Sequence, residues 1–167
     1  MSLITLIRID DDIRRIVEEA DDDFAKVYGV SLGGNKQVVR EVVSQTLSLL
    51  RKAPRASEWG GYLVADRERS MVIGTCGFKH GPEANGTVEI AYFTFQEFEQ
   101  QGYATAMAKE LVKLALQSED VREIIAHTLP ERNASTWILE KAGLRLVGEI
   151  DDLEDGKVWR WVYHTGT

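Results

Sequence analysis

Two hydrophobic periods divide the chain. Ile13, Ile16, Val17, Ala20, Phe24, Val27 and Tyr28 recur at helical spacing, so residues 11 to 28 are expected to form one amphipathic helix. Gly29, Gly33 and Gly34 end it. Val38, Val42, Val43, Thr46, Leu49 and Leu50 repeat the period from about Lys36 to Lys52, and Pro54 follows as a stop signal. The pattern then shifts to short apolar runs. Tyr62 to Ala65, Met71 to Phe78 and Thr87 to Phe95 read as strands, the first two separated by the charged turn Asp66 to Arg69. Gly102 to Gln117 returns to helical spacing, Glu123 to Leu129 is a further strand, and Asn133 to Ala142 is a short helix ended by Gly143. Leu144 to Ile150 and Lys157 to His164 form a terminal hairpin around the acidic loop Asp151 to Gly156. A short strand at Leu3 to Ile9 completes the set.

This order predicts an α+β fold, a mixed twisted sheet of about six to seven strands flanked by helices. The strand–helix–strand piece from 87 to 129 should make a right-handed crossover, leaving its two strands parallel and adjacent or nearly so. No repeat or linker interrupts the 167 residues, which suit one domain.

Composition narrows the functional classes. The net charge of −7 argues against a general nucleic-acid binder, which needs a basic face, and mildly favours cationic partners such as amines. No apolar run approaches the ~18 residues of a membrane span, and Met1 to Ile9 carries no cleavage site of a secretory signal. The single cysteine, Cys76, excludes an internal disulfide, fits a cytoplasmic location, and in its apolar strand reads as a small core residue. Asp10 to Asp12 and Asp21 to Asp23 lack calcium-loop spacing and read as solvated helix caps and faces. No metal is expected.

The stretch FEQQGYATAMAKEL, from Phe98 to Leu111, places a glycine directly before a helix. The first turn of a helix presents N–H groups without internal partners at the positive end of the dipole. A glycine there lets an anion approach the backbone of Gln100, Gln101, Gly102, Tyr103 and Ala104. A P-loop would need a following lysine and a dinucleotide fold a GxGxxG, and both are missing. Taken alone, the stretch reads more readily as a plain helix start.

Its neighbours change that. Glu89-Ile90-Ala91-Tyr92 in a strand, Gln101-Gly102-Tyr103-Ala104-Thr105-Ala106-Met107, Thr128-Leu129-Pro130-Glu131-Arg132-Asn133-Ala134-Ser135 and Leu139-Glu140-Lys141-Ala142-Gly143-Leu144 follow one another in order. Together they resemble the GNAT N-acetyltransferase superfamily, in particular its ribosomal-protein N-acetyltransferase-like branch. The resemblance spans residues from about 60 to 164 and implies acetyl-CoA as cosubstrate. It implies that the amides of Gln100 to Thr105 hold the pyrophosphate, with Gly102 and Ala104 in the last two fixed places of the Gln/Arg-x-x-Gly-x-Gly/Ala loop. Glu99 occupies the first fixed place and departs from it, so the backbone must do the holding. The resemblance further implies that the strand splays from its parallel neighbour, that the strand amides from Tyr92 through Phe93 and Thr94 to Phe95 meet the pantetheine arm, and that Asn133 contacts the cofactor.

Acetyl transfer to an amine needs a neutral nucleophile. At pH 7 roughly a tenth of α-amines but under about 0.1% of lysine amines are neutral, so a base matters most for lysine-like acceptors. Glu89, on the same strand face as Ala91 and Phe93, is the candidate base, against the plainer role of an ion-paired strand carboxylate. Ser135 is the candidate donor near the departing sulfur, against a helix-start role that it shares with Asn133. Leu139 stands where many superfamily members carry a tyrosine acid. Tyr92 or Tyr163 would have to replace it. His127 ends a strand and could face the active cleft, against the plainer structural role that it is assigned. A hydrolase triad of Ser135, His127 and Glu89 lacks the G-x-S-x-G elbow. The acceptor, a protein N-terminus or small-molecule amine, is expected to enter from the side built by the N-terminal helices and their Tyr28 to Gly34 loop, with help from the Asp151 to Gly156 hairpin. The chain is compatible with a monomer or homodimer. The alternative function is an acetyl-CoA-binding sensor without turnover.

Overall fold

The computed structural model describes residues 3–19 and 23–165. The strands are β1 (Thr5–Arg8), β2 (Gly61–Asp66), β3 (Met71–Phe78), β4 (Thr87–Thr94), β5 (Glu123–Thr128), β6 (Arg145–Asp152) and β7 (Gly156–His164). The α-helices are α1 (Asp11–Glu19), α2 (Asp23–Tyr28), α3 (Lys36–Lys52), α4 (Tyr103–Ala115) and α5 (Ala134–Lys141). The helix expected over residues 11 to 28 is thus described as α1 and α2. Ala20, Asp21 and Asp22 lie outside the described residues. Asp10 caps α1 as expected, accepting the Ile13 N–H at 2.9 Å.

Strand order is β1-β2-β3-β4-β5-β7-β6. Among the strand pairs of the described residues, β4–β5 is parallel, as the α4 crossover requires, and the others are antiparallel. Two buried clusters cover the sheet. One packs Met107, Leu111 and Leu139 of α4 and α5 against Val64, Ile90, Ile124 and Trp161. The other packs Ile13, Val39 and Val43 of α1 and α3 against Leu63 and Val72. Adjacent residues Leu63 and Val64 fall in different clusters, as alternation along a strand demands. Leu139 and Cys76 are buried in the first cluster, and burial pushes the Cys76 thiol up, away from thiolate chemistry.

The sheet is stitched narrowly at its middle. β4 and β5 pair only at Thr87–Glu123, Val88–Ile124 and Glu89–Ile125. Beyond Glu89, β4 continues against β3 as far as Thr94, and β5 continues against β7 as far as Thr128. A gap therefore opens between the two parallel strands.

Candidate active site

The backbone direction along β4 determines what the gap offers. Lys79 N–H donates to Glu89 O, and Phe95 N–H donates to Ile73 O. Alternation assigns Ala91 and Phe93 to the same β3-facing set. The N–H and C=O groups of Tyr92 and Thr94 then point the other way, into the gap. Phe95 departs from expectation. Its amide is bonded to β3, and its ring is buried in the α1–α3 cluster, so neither reaches the gap. Phe93 keeps its ring half exposed on the cleft wall while its amide faces β3.

A cleft of about 590 Å³ runs from the gap to the start of α4, lined by Tyr92, Thr94, Gln100 to Thr105 (apart from Gln101), Ser135 and Trp137. Gln100 and Gly102 both adopt left-handed backbone, with φ of 62° and 87°. Such turns make successive N–H groups converge on a concavity. Gly102 makes no side-chain cap for α4, and a Cβ there would point into open space. Among the described residues, no partner engages the N–H groups of Gln100 to Thr105. The first bonded amide of the helix is Ala106, which donates to Gly102 O. The Thr94 Oγ1 is buried and equally without a partner. An anion with a hydrogen-bonding arm fits these donors. Glu99 is exposed and brings no cation to the loop.

Tyr103 fastens this loop from below. Its ring is buried, and its hydroxyl donates to Asp66 Oδ2 at 2.6 Å. Asp66 Oδ1 also accepts the N–H groups of Glu68 and Arg69. The Tyr103 hydrogen bond, with these backbone donors, holds the Asp66 carboxyl below the usual range. Burial, then the Asp66 bond, pushes the Tyr103 phenol up to about 12. The start of α4 is thereby tied to the β2–β3 turn.

A second cavity of about 220 Å³ lies deeper in the gap, lined by Glu89, Tyr92, His127, Asn133 and Ser135 among others. Tyr92 and Ser135 line both cavities. Glu89 is buried and its Oε2 accepts from Lys79 Nζ at 3.0 Å and from His127 Nδ1 at 2.9 Å. Asn133 caps α5, its Oδ1 accepting from Ser135 and Thr136 N–H. Its Nδ2 has only a 3.5 Å contact with Glu131. Burial pushes the Tyr92 phenol up to about 12, so it keeps its proton. Tyr163 lies on β7 and lines neither cavity. A third groove, of about 250 Å³, reaches Lys79, Ala91 and Tyr92 from the α3 side, past Val42, Thr46 and Arg55. Tyr92 thus stands where three cavities meet.

Comparison with known proteins gives the family. A profile of the Acetyltransferase (GNAT) domain matches residues 4–145. The chain belongs to the GNAT acetyltransferase family. It is 30% identical over 140 residues to the uncharacterized N-acetyltransferase p20 of Bacillus licheniformis, covering 83% of this chain and 75% of that one. It is 25% identical over 125 residues to the uncharacterized N-acetyltransferase YjdG of Bacillus subtilis (strain 168), covering 75% and 71%. The solved structure of RimL, a ribosomal L7/L12 alpha-N-protein acetyltransferase in complex with coenzyme A, superposes with a TM-score of 0.68 at 15% identity, covering 98% of this chain and 95% of that one. That likeness is one of fold.

Within this GNAT chain, the structure gathers Glu89, Tyr92, Thr94, Asn133, Ser135 and the Gln100–Thr105 loop around one gap. Of the parts expected to guide the acceptor, the second N-terminal helix, α3, walls the third groove, whereas the Tyr28 to Gly34 loop and the Asp151 to Gly156 hairpin line none of the three cavities at Tyr92. Ser31 bridges to Met71 at the opposite end of β3 from Lys79. The groove walls come from α3, as expected of the N-terminal helices, and from Arg55, Gly60 and Gly61. Lys79, His127, Trp137 and Lys141 also line the cavities. Trp137 is 61% exposed, with Lys141 Nζ 5.0 Å from its ring. The missed His127 left one readable signal: it lies two residues beyond Ile125, so it shares the Glu89 face once the two parallel strands are in register.

Proposed function

We propose that this GNAT chain transfers acetyl from acetyl-CoA directly to a primary amine, without an acyl-enzyme. The observation that carries the reading is the meeting of three cavities at Tyr92, one ending in unpartnered helix-start amides. The amides of Gln100 to Thr105 would hold the pyrophosphate. The gap-facing amides of Tyr92 and Thr94, with Asn133 Nδ2, would hold the pantetheine arm and polarise the thioester carbonyl. The bound thioester supplies the activated acetyl group.

The amine enters by the α3 groove and reaches the acetyl carbon beside Tyr92. The Glu89 centre relieves it of a proton. Ser135 faces the sulfur side, and a thiolate leaving group of pKa near 8.5 needs only modest assistance. RimL, by its description, acetylates a protein α-amine and binds coenzyme A, which supports both the donor and an amine acceptor. The acceptor class proposed is therefore a protein N-terminus or a small-molecule amine.

A thiol-release assay with acetyl-CoA, a panel of small amines and N-terminal peptides tests this. Release that depends on one of these amines is expected. Binding of acetyl-CoA with no amine-dependent release would overturn the reading in favour of a sensor.

A further inference from the structure

We propose that His127 Nε2, and not the Glu89 carboxylate, takes the proton of the acceptor amine, and that Glu89 positions His127. This rests on the acetyl-transfer reading. The Glu89 oxygen that faces its neighbours is already shared by two donors, Lys79 Nζ and His127 Nδ1. A carboxylate paired to an ammonium is a poor proton acceptor. Its contact at Nδ1 selects the tautomer with the proton on that nitrogen and the lone pair on Nε2. His127 Nε2 is buried and has no partner, and His127 lines the same cavity as Tyr92 and Ser135. An ordinary imidazole is about a hundredfold stronger as a base than an ordinary carboxylate.

The charged groups around His127 fit the role. Lys79 directly follows β3 and Glu89 lies on β4. Arg160 stands opposite His127 on β7, but its guanidinium is held by Glu123 at 3.0 Å. Asn133, Ser135 and Tyr92 are uncharged. Ser135 is not bonded to Nε2, so among the described residues its lone pair is unused, and because the atom is closed to solvent the amine reaches it only as neighbouring side chains give way. In the step, the amine nitrogen bonds to the acetyl carbon, the C–S bond breaks, and the amine proton passes to Nε2. The thiolate takes a proton from solvent, and His127 returns its own to solvent as product leaves. The imidazolium formed in between is paired with Glu89.

The test is the pH profile of kcat/KM for the full chain, His127→Gln and Glu89→Gln, with acetyl-CoA affinity read by calorimetry. His127→Gln is expected to lose about 10²–10⁴-fold in rate, to lose the rising limb of the profile, and to bind acetyl-CoA unchanged. Glu89→Gln is expected to keep the limb but lower the rate, because the ring loses the charged partner that fixes its tautomer and pairs with the imidazolium. A limb that survives in His127→Gln overturns the inference. Should wild type turn over no amine, the acetyl-transfer reading fails by itself. Nitrogen NMR of His127 then still decides the geometry: the Nδ1–H tautomer is expected, and the Nε2–H tautomer overturns the inference.

Discussion

Tyr103 shows how a single side chain prepares the loop without touching a ligand. Its amide belongs to the unpartnered set at the start of α4, while its hydroxyl is spent on Asp66. Tyr103→Phe would leave a buried carboxylate short of a donor and is expected to cost about 1–3 kcal/mol in urea unfolding. The pH dependence of that cost has a definite sign. Asp66 has its pKa lowered in the fold, so its contribution is present above the ordinary carboxylate value of about 4 and fades as pH falls through the lowered value. Tyr103 is raised to about 12, so its contribution is present below the ordinary phenol value of about 10 and fades as pH rises from there towards 12. The difference between wild type and variant should be flat at neutral pH and shrink at both extremes. At this scale, Gly102 and Ala104 were legible because an unpartnered helix start is local. The partners of Glu89 were not, since Lys79 and His127 arrive from just past β3 and from β5 through a register that one sequence does not spell out.

Two helix starts of opposite design frame the cleft. α5 is closed by Asn133 in a capping box with Thr136, and α4 is left open behind Gly102. Asn133 was legible as a cap, which its Oδ1 makes, and the proposed cofactor contact would use a separate atom, Nδ2, whose contact with Glu131 is long at 3.5 Å. Asn133→Ala is expected to cost about 1 kcal/mol of stability and to weaken acetyl-CoA binding. Asn133→Asp is expected to keep the cap and the stability while still weakening acetyl-CoA binding, measured by thermal unfolding and calorimetry side by side. Equal affinity for Asn133→Asp and wild type would confine Asn133 to the cap. The strands, α3, α4 and α5 were legible from period and stop signals, to within a few residues at their ends. The helical period over residues 11 to 28 was equally readable, yet α1 and α2 are its described parts.

At the scale of the molecule, the function proposed depends on a sheet that is joined at one end of β4 and parted at the other. The crossover rule made the parallel β4–β5 pair legible. The point where pairing stops was legible only through the family resemblance, because it depends on how the β1–β4 half and the β5–β7–β6 half twist apart. Gly86 secures the joined end. Its carbonyl accepts the N–H groups of Arg122 and Glu123, its φ is +82°, and an added Cβ would lie 2.9 Å from the Arg122 side chain. Gly86→Ala is expected to destabilise the fold by about 1–3 kcal/mol in denaturant titration. The gap itself is tested most directly by titrating acetyl-CoA into the isotope-labelled chain and following backbone amide resonances. The expected result is that the largest shifts fall on Gln100 to Thr105, Tyr92 and Thr94, and that Gly102→Glu removes them while the remaining spectrum stays folded. Shifts concentrated elsewhere, with the Gln100–Thr105 amides unmoved, would contradict the placement of acetyl-CoA between β4 and β5.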